Sequence, residues 1–188
     1  RRISEDDMKI EHFRSQSTHP DLDLDYRNML AVCEGVIGKK LCCDTFRGTQ
    51  RKKIDGKKVQ KDFQFLPNPK ELKAHNVQFS YNRSSGTIAC CNNADITQEI
   101  GGDGAENLLN LNCQGLKEQR IAVWEGIKRK LDKITKTPTL WKKSEAAIRE
   151  AQKIYDEHKY SDKKTKNLAF CGFVCHLLER EFGDKLKK

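Results

Sequence analysis

Short runs in which apolar and polar residues alternate occupy the first half of the chain. Alternation with a period of two is typical of strands that bury one face. Two such runs flank the turn residues Ser84-Ser85-Gly86, a pattern that predicts a β-hairpin. A compact apolar run at residues 29–33 is suited to holding the preceding polar loop against a core. We predict strands at residues 7–13, 63–66, 77–81 and 87–90.

The last third of the chain spaces its apolar residues as amphipathic helices do. Glycines at 101, 102 and 104 precede this region, and no Gly-Lys-Ser/Thr follows them, which excludes a P-loop. Pro138 separates the first predicted helix from the second. The predicted helices cover residues 105–134, 140–158 and 164–182. Strands followed by helices indicate the α+β class, with one domain at 1–100 and a helical region at 101–188.

Composition indicates a modest core with a large charged surface, since 36% of the residues are hydrophobic and 34% are charged. The formal net charge of +9 favours polyanionic partners such as nucleic acid, although an acidic protein would also attract this chain. No apolar run approaches the roughly 20 residues that span a bilayer, and no signal-peptide pattern is present. We therefore expect a soluble, cytoplasmic protein with no membrane partner.

An acid and an imidazole stand side by side at Glu11-His12, and a second acid, Asp44, directly follows Cys43. His12 suits a general base because imidazole titrates near neutral pH. Glu11 and Asp44 suit Mg²⁺ or Mn²⁺, hard cations that prefer carboxylate oxygens. This combination outlines a one-metal nuclease site, in which the cation offsets charge on the phosphate and the leaving group.

A dense run of basic residues follows Asp44. Arg47 lies one helical turn beyond Asp44 and would share its face, where its guanidinium could grip a phosphate of the scissile strand. The basic residues that come next would make phosphate contacts that do not depend on sequence, and a solvated charged loop is the alternative. These candidates are Arg51, Lys52, Lys53, Lys57 and Lys58.

The strings IEHFRSQS, LDLDYRNMLAVC and CCDTFRG resemble the HNH, or ββα-metal, nucleases, and more narrowly the PtuB-like proteins of Septu anti-phage systems. The later string GAENLLNLNCQGLKEQR is similar to the segment after their nuclease core, so the resemblance covers roughly residues 2–130. It implies that His12 is the base, that Glu11 and Asp44 ligate metal, and that Asn28 fixes the intervening loop. Asp44 departs from the family, where His or Asn is common at this position. The implied fold is a ββα-metal core with an additional β-hairpin and a C-terminal helical bundle.

The eight cysteines include no Cys-x-x-Cys pair. In the family that the chain resembles, such a pair lies just upstream of the position equivalent to Arg1. Together with Cys33 and Cys43 it would complete a tetrahedral structural Zn²⁺ site. Cys42 is the rival for the second of these ligands. The other interpretation is that reduced cysteines act as small hydrophobic residues.

The resemblance implies a prokaryotic endonuclease that hydrolyses phosphodiester bonds in anti-phage defence, with a PtuA-like ATPase as its partner subunit. DNA is the favoured substrate, and the alternative is an RNA-cleaving effector, acting on tRNA, of a retron-like system. Two other classes stay open: a non-catalytic zinc-knuckle module that binds nucleic acid, and an interaction adaptor whose helical region does the work.

Overall fold

The computed structural model describes residues 8–159 and 170–187, without the side chains of residues 138 and 139. It divides into two compact units. The β-rich unit comprises residues 8–80 and 87–116, and the helical unit comprises residues 81–86 together with the described residues from 117 onward. This boundary lies further along the chain than the one at 100–101 that the sequence predicts. Helices and small antiparallel sheets place the protein in the α+β class.

The β-rich unit begins with a two-stranded antiparallel sheet and a short helix. Strand β1 (Met8–His12) pairs with β2 (Met29–Cys33), which sets Glu11 opposite Leu30 and His12 opposite Met29. A tight hairpin of β3 (Val36–Ile37) and β4 (Lys40–Leu41) leads into α1 (Cys43–Arg47), and α1 packs against β2. The order strand, strand, helix therefore brings the predicted site residues of β1 and α1 into one unit.

Two further hairpins follow α1. The basic run forms the first of them, β5 (Arg51–Ile54) and β6 (Lys57–Gln60), rather than an irregular loop. Its turn is Asp55-Gly56, and both residues have positive φ angles, of 46° and 77°. Asp-Gly is favoured in two-residue hairpin turns because Gly, and to a lesser extent Asp, tolerates this conformation. The second hairpin, β7 (Phe79–Tyr81) and β8 (Ile88–Cys90), is the one that the sequence predicts.

The strand predicted at residues 63–66 is absent, and Glu99 supplies the reason. The buried Glu99 carboxylate accepts hydrogen bonds from the backbone amides of Gln64, Phe65 and Leu66, at 2.6–3.2 Å. Three consecutive amides that reach one carboxylate require a bent backbone, whereas consecutive amides of a strand point in opposite directions. The apolar run is therefore a turn around an acid that lies more than thirty residues away in the chain.

The helix predicted at 105–134 begins later than expected. A separate helix, α2 (Ala94–Gly101), comes first, and the long helix is α3 (Gln114–Thr135). Between them, the amides of Leu108 and Leu109 bond to the Glu99 carbonyl, and the amide of Leu111 bonds to the Ile100 carbonyl. These amides donate to carbonyls in the last turn of α2, which have no partner within that helix. They therefore do not make the i−4 hydrogen bonds of a helix of their own.

The helical unit contains the rest of α3 together with α4 (Glu145–Lys159) and α5 (Cys171–Phe182). A 3₁₀ helix at Pro138–Lys143 occupies the start predicted for the second helix, and residues 164–169 of the third lie outside the described residues. No helix in the described part of the chain is long and apolar enough to cross a membrane. One core joins the three helices, and the largest of its fully buried members are Trp124, Leu131, Tyr155, Phe173, Leu177 and Leu178.

Candidate functional site

The carboxyl groups of Glu11 and Asp44 converge between β1 and α1. The charge of Glu11 and a hydrogen bond with it both raise the pKa of Asp44. The ammonium of Lys9 lies 2.8 Å from Glu11 Oε1 and 3.8 Å from Asp44 Oδ2. Lys9 and Glu11 are two residues apart in a strand, so both side chains project from the same face of β1. The structure thus places a positive charge between the two predicted metal ligands.

Burial and mutual repulsion set the charge state of this cluster. Burial raises the pKa of the Asp44 carboxyl; Arg47 opposes this shift, and the neighbouring Glu11 adds to it, so that the pKa stays above its ordinary value. Burial by itself would lower the pKa of Lys9, but the hydrogen bond and charge of Glu11, with the charge of Asp44, raise it overall. Two carboxyl groups that converge on one ammonium have the electrostatics of a cation site.

Arg47 has a different role from the predicted one. It is 2% exposed, and its guanidinium donates to Asp44 Oδ1 at 2.9 Å, to the Phe13 carbonyl at 2.7 Å and to the His12 carbonyl. It also lies over the Phe63 ring, 5.0 Å from the centroid. A side chain whose donors are used inside the core does not reach a substrate phosphate. Arg47 instead joins the end of β1 to α1 and fixes the position of Asp44.

His12 ends β1, and its imidazole contacts the loop that follows. Nε2 lies 2.8 Å from the backbone carbonyl of Asp23 and 3.5 Å from the Asp23 carboxylate. A carbonyl only accepts hydrogen bonds, so this contact puts the proton on Nε2 and leaves the lone pair of a neutral ring on Nδ1. Strand alternation turns the imidazole away from the face that carries Glu11. The structure therefore brings Glu11 and Asp44 together and holds His12 at the adjacent strand end.

Asn28 secures both ends of the loop between β1 and β2. Its side-chain oxygen accepts from the Arg14 amide at 2.7 Å, and its amide nitrogen donates to the Arg14 and Leu22 carbonyls. The Asn28 carbonyl also accepts from the Phe13 amide at 2.8 Å. Because Phe13 directly follows His12, the buried Asn28 holds the backbone beside the imidazole. Its contacts are those of a positioning residue.

The thiol of Cys43 interacts with those of Cys33 and Cys42. Hydrogen bonding to Cys33 lowers the pKa of Cys43, but the bond to Cys42 and burial outweigh it and raise this pKa to about 11. Cys42 Sγ lies 3.9 Å from Cys43 Sγ, so Cys42 stays a rival ligand. The turn at Gly35 packs closely against Cys42. The Cys42 amide donates to the Gly35 carbonyl, and a Cβ at position 35 would lie 2.3 Å from the Cys42 backbone oxygen.

Across the described ranges, 8–159 and 170–187, no group of three or more His, Cys, Asp or Glu side chains converges in a metal-binding arrangement. Mg²⁺ in phosphate-processing sites keeps several waters and takes one or two protein carboxylates, so the Glu11–Asp44 pair fits that cation. Tetrahedral Zn²⁺ needs four ligands, and the described cysteines around Cys43 would supply only part of that set.

The basic hairpin β5–β6 carries the predicted nucleic-acid contacts. Arg51, Lys52, Lys53, Lys57 and Lys58 are all exposed, and no ion pair joins them to any described residue. Lys53 lies directly opposite Lys58 in the antiparallel register, a like-charge pair that disfavours the hairpin by itself. Lys57 and Ile54 line a small cavity together with Ser17 and Thr18, from the loop that also contacts His12. The basic hairpin thus meets the loop whose Asp23 contacts His12.

Sequence reasoning missed three residues of this region. Lys9 could have been found, since alternation along β1 places it beside Glu11. Asp23, in the polar loop before β2, orients the His12 ring. Asp62 accepts from the Ser15 amide at 2.7 Å and from the Thr18 hydroxyl at 2.6 Å, and so holds the same loop. No local pattern identifies Asp62, because its partners lie more than forty residues earlier in the chain.

Comparisons with models of known protein families, with curated proteins and with solved structures found no match to this chain. Its function must therefore be inferred from the geometry of its own residues.

Proposed function

We propose that this protein is a metal-dependent HNH endonuclease that hydrolyses phosphodiester bonds, with DNA as the favoured substrate. The observation that carries the proposal is the convergence of Glu11 and Asp44, from β1 and α1, around a cation. His12 follows Glu11 at the end of the same strand. The succession of β1, β2 and α1, with the short hairpin β3–β4 before α1, supports the ββα-metal core that the resemblance implies.

Each residue has a role in this mechanism. Glu11 and Asp44 would hold Mg²⁺ or Mn²⁺, which when bound offsets charge on the phosphate and on the departing 3′ oxygen. His12 takes a proton from the attacking water at Nδ1, while the Asp23 carbonyl holds Nε2–H and with it the ring. Asn28 fixes the backbone that follows His12, and Arg47 fixes Asp44. In the same proposal, Cys33 and Cys43 would hold a structural Zn²⁺ at the start of α1. A PtuA-like ATPase would control the activity in anti-phage defence.

The test is cleavage of labelled DNA and of tRNA by the purified protein, alone and with its ATPase partner, in Mg²⁺ or in EDTA. We expect products in Mg²⁺ and none in EDTA. Products from tRNA alone would move the proposal to the RNA-cleaving alternative. Equal products with and without chelator would contradict metal-dependent hydrolysis.

A second candidate function is nucleic-acid binding without cleavage, and the basic hairpin favours it. If the hairpin binds phosphates, replacing Lys52, Lys53, Lys57 and Lys58 together with Gln weakens binding uniformly across sequences. It also flattens the slope of log K against log salt by about 0.7–0.9 for each phosphate contact that is lost. Fluorescence anisotropy with a labelled oligonucleotide over a range of salt concentrations measures both effects.

The matched control removes the same charge elsewhere, at the exposed Lys39, Lys73, Lys130 and Lys133. An equal loss of slope in both variants would show that binding follows net charge rather than the hairpin. A hairpin variant that loses binding, combined with a wild-type chain that never cleaves, would favour the binding module over the nuclease.

A further inference from the structure

Lys9 occupies the position in which a metal ion would be needed. Its ammonium lies within ion-pairing distance of both Glu11 and Asp44, and the remaining cation beside Asp44 is Arg47. The Lys9 and Arg47 side chains differ in how freely they can move. Arg47 is buried and bonded to two backbone carbonyls. The Lys9 side chain is 30% exposed, and among the described residues its ammonium pairs with the carboxylates of Glu11 and Asp44. Of the two, only Lys9 is free to leave toward solvent.

Lys9 and a divalent cation cannot share this site. Mg²⁺ takes carboxylate oxygens at about 2.0–2.1 Å, and Glu11 Oε1 is already the oxygen nearest the ammonium. An ammonium that stayed there would lie beside the metal with a charge of the same sign. Because lysine has a long flexible stem, its head group can move into water at little cost once a more highly charged ion binds.

We propose that Lys9 is an internal cation that holds the Glu11–Asp44 pair together until a divalent metal displaces it, and that Lys9 thereby sets the metal affinity of the site. The inference rests on the proposed function, since it takes these carboxylates to be the metal ligands. Without Lys9 the two carboxyl groups would face each other with less compensating charge. With Lys9 present, an ion must outcompete a tethered ammonium, which favours divalent over monovalent cations.

Isothermal titration of Mn²⁺ into the whole protein measures this competition directly. We expect Lys9→Gln to bind Mn²⁺ about two- to fivefold more tightly than the wild type, the range for loss of one partly exposed ion pair. Lys73→Gln removes the same charge from an exposed position of the same unit and should bind like the wild type. Glu11→Gln should bind more weakly than either.

A second measurement follows Lys9 itself. In the wild type, Mg²⁺ should increase acylation of Lys9 by an amine-reactive ester, read by mass spectrometry, because the displaced ammonium becomes accessible. The reactivity of Lys73 should not change, and Glu11→Gln should weaken the effect of Mg²⁺ on Lys9. This readout does not depend on catalysis, so it works for a chain that is inactive without its partner.

The outcomes separate this inference from the proposed function. Mn²⁺ binding that needs Glu11 but is equal or weaker in Lys9→Gln, with Lys9 acylation unaffected by Mg²⁺, would overturn the role of Lys9 and leave the metal site intact. No Mn²⁺ binding by any variant would overturn both. Tighter binding by Lys9→Gln together with metal-dependent exposure of Lys9 supports both.

Discussion

Replacing His12 with Ala should lower the proposed metal-dependent cleavage by about 10²- to 10⁴-fold, the range for loss of a positioned general base. The loss would arise because, in the proposed mechanism, Nδ1 of His12 takes the proton from the attacking water. The initial rate of cleavage of a labelled substrate under saturating Mg²⁺, for wild type and His12→Ala purified identically, measures it. Identical purification also exposes any contaminating nuclease.

His75→Ala is the matched control, since His75 is a surface imidazole of the same unit with a side chain that is 55% exposed. It should retain wild-type activity. The far-ultraviolet circular dichroism of His12→Ala should match that of the wild type, since the variant loses one hydrogen bond to a loop carbonyl. If a folded His12→Ala protein cleaves at the wild-type rate, His12 is not the general base. That result would favour a binding role for the site.

Replacing Arg47 with Met should destabilise the β-rich unit by about 3–5 kcal/mol, the usual cost of removing one partner of a buried ion pair. The substitution leaves Asp44, which is 8% exposed, without its main counter-charge. It also leaves the His12 and Phe13 carbonyls without the donors that Arg47 supplies. The free energy of unfolding from urea denaturation measures the change.

The choice of probe matters for this experiment. Both tryptophans, Trp124 and Trp141, belong to the helical unit, so their fluorescence does not report on the β-rich unit. Hydrogen exchange at the amides of β1 and β2 reports on it directly. Arg51→Met makes the same chemical change at an exposed position and should alter stability by less than about 0.5 kcal/mol. Equal stability of the two variants would show that the Arg47 network contributes nothing.

Local patterns predicted those elements whose pairing partners are near in the chain. The hairpin β7–β8 and the strand β1 follow from alternation, and the acid, imidazole and acid at Glu11, His12 and Asp44 were visible as candidate chemistry. The predicted strand at residues 63–66 was wrong because its amides bond to Glu99. The start of the helix predicted from residue 105 was wrong because the amides of Leu108, Leu109 and Leu111 bond to carbonyls at the end of α2.

The start of α1, within the candidate site, also depends on contacts that local sequence patterns do not reveal. Cys43 adopts a positive φ of 54°, which is uncommon for a residue other than glycine. Its amide bonds to the Leu109 carbonyl at 2.7 Å, and the Asn110 side chain donates to the Leu41 carbonyl at 2.9 Å. A segment more than sixty residues later thus holds the backbone that presents Asp44.

The sequence by itself determined the class of the fold, the residues with candidate chemistry and the excess of positive charge after Asp44. The tertiary structure decided what those residues contact: Arg47 lies in the core rather than toward a phosphate, Lys9 lies between two carboxylates, and His12 is oriented by Asp23. The physical reason is the same in each case. Periodicity reports which side of an element a residue occupies, whereas burial, ion pairing and hydrogen bonding depend on the groups that other parts of the chain bring to that side.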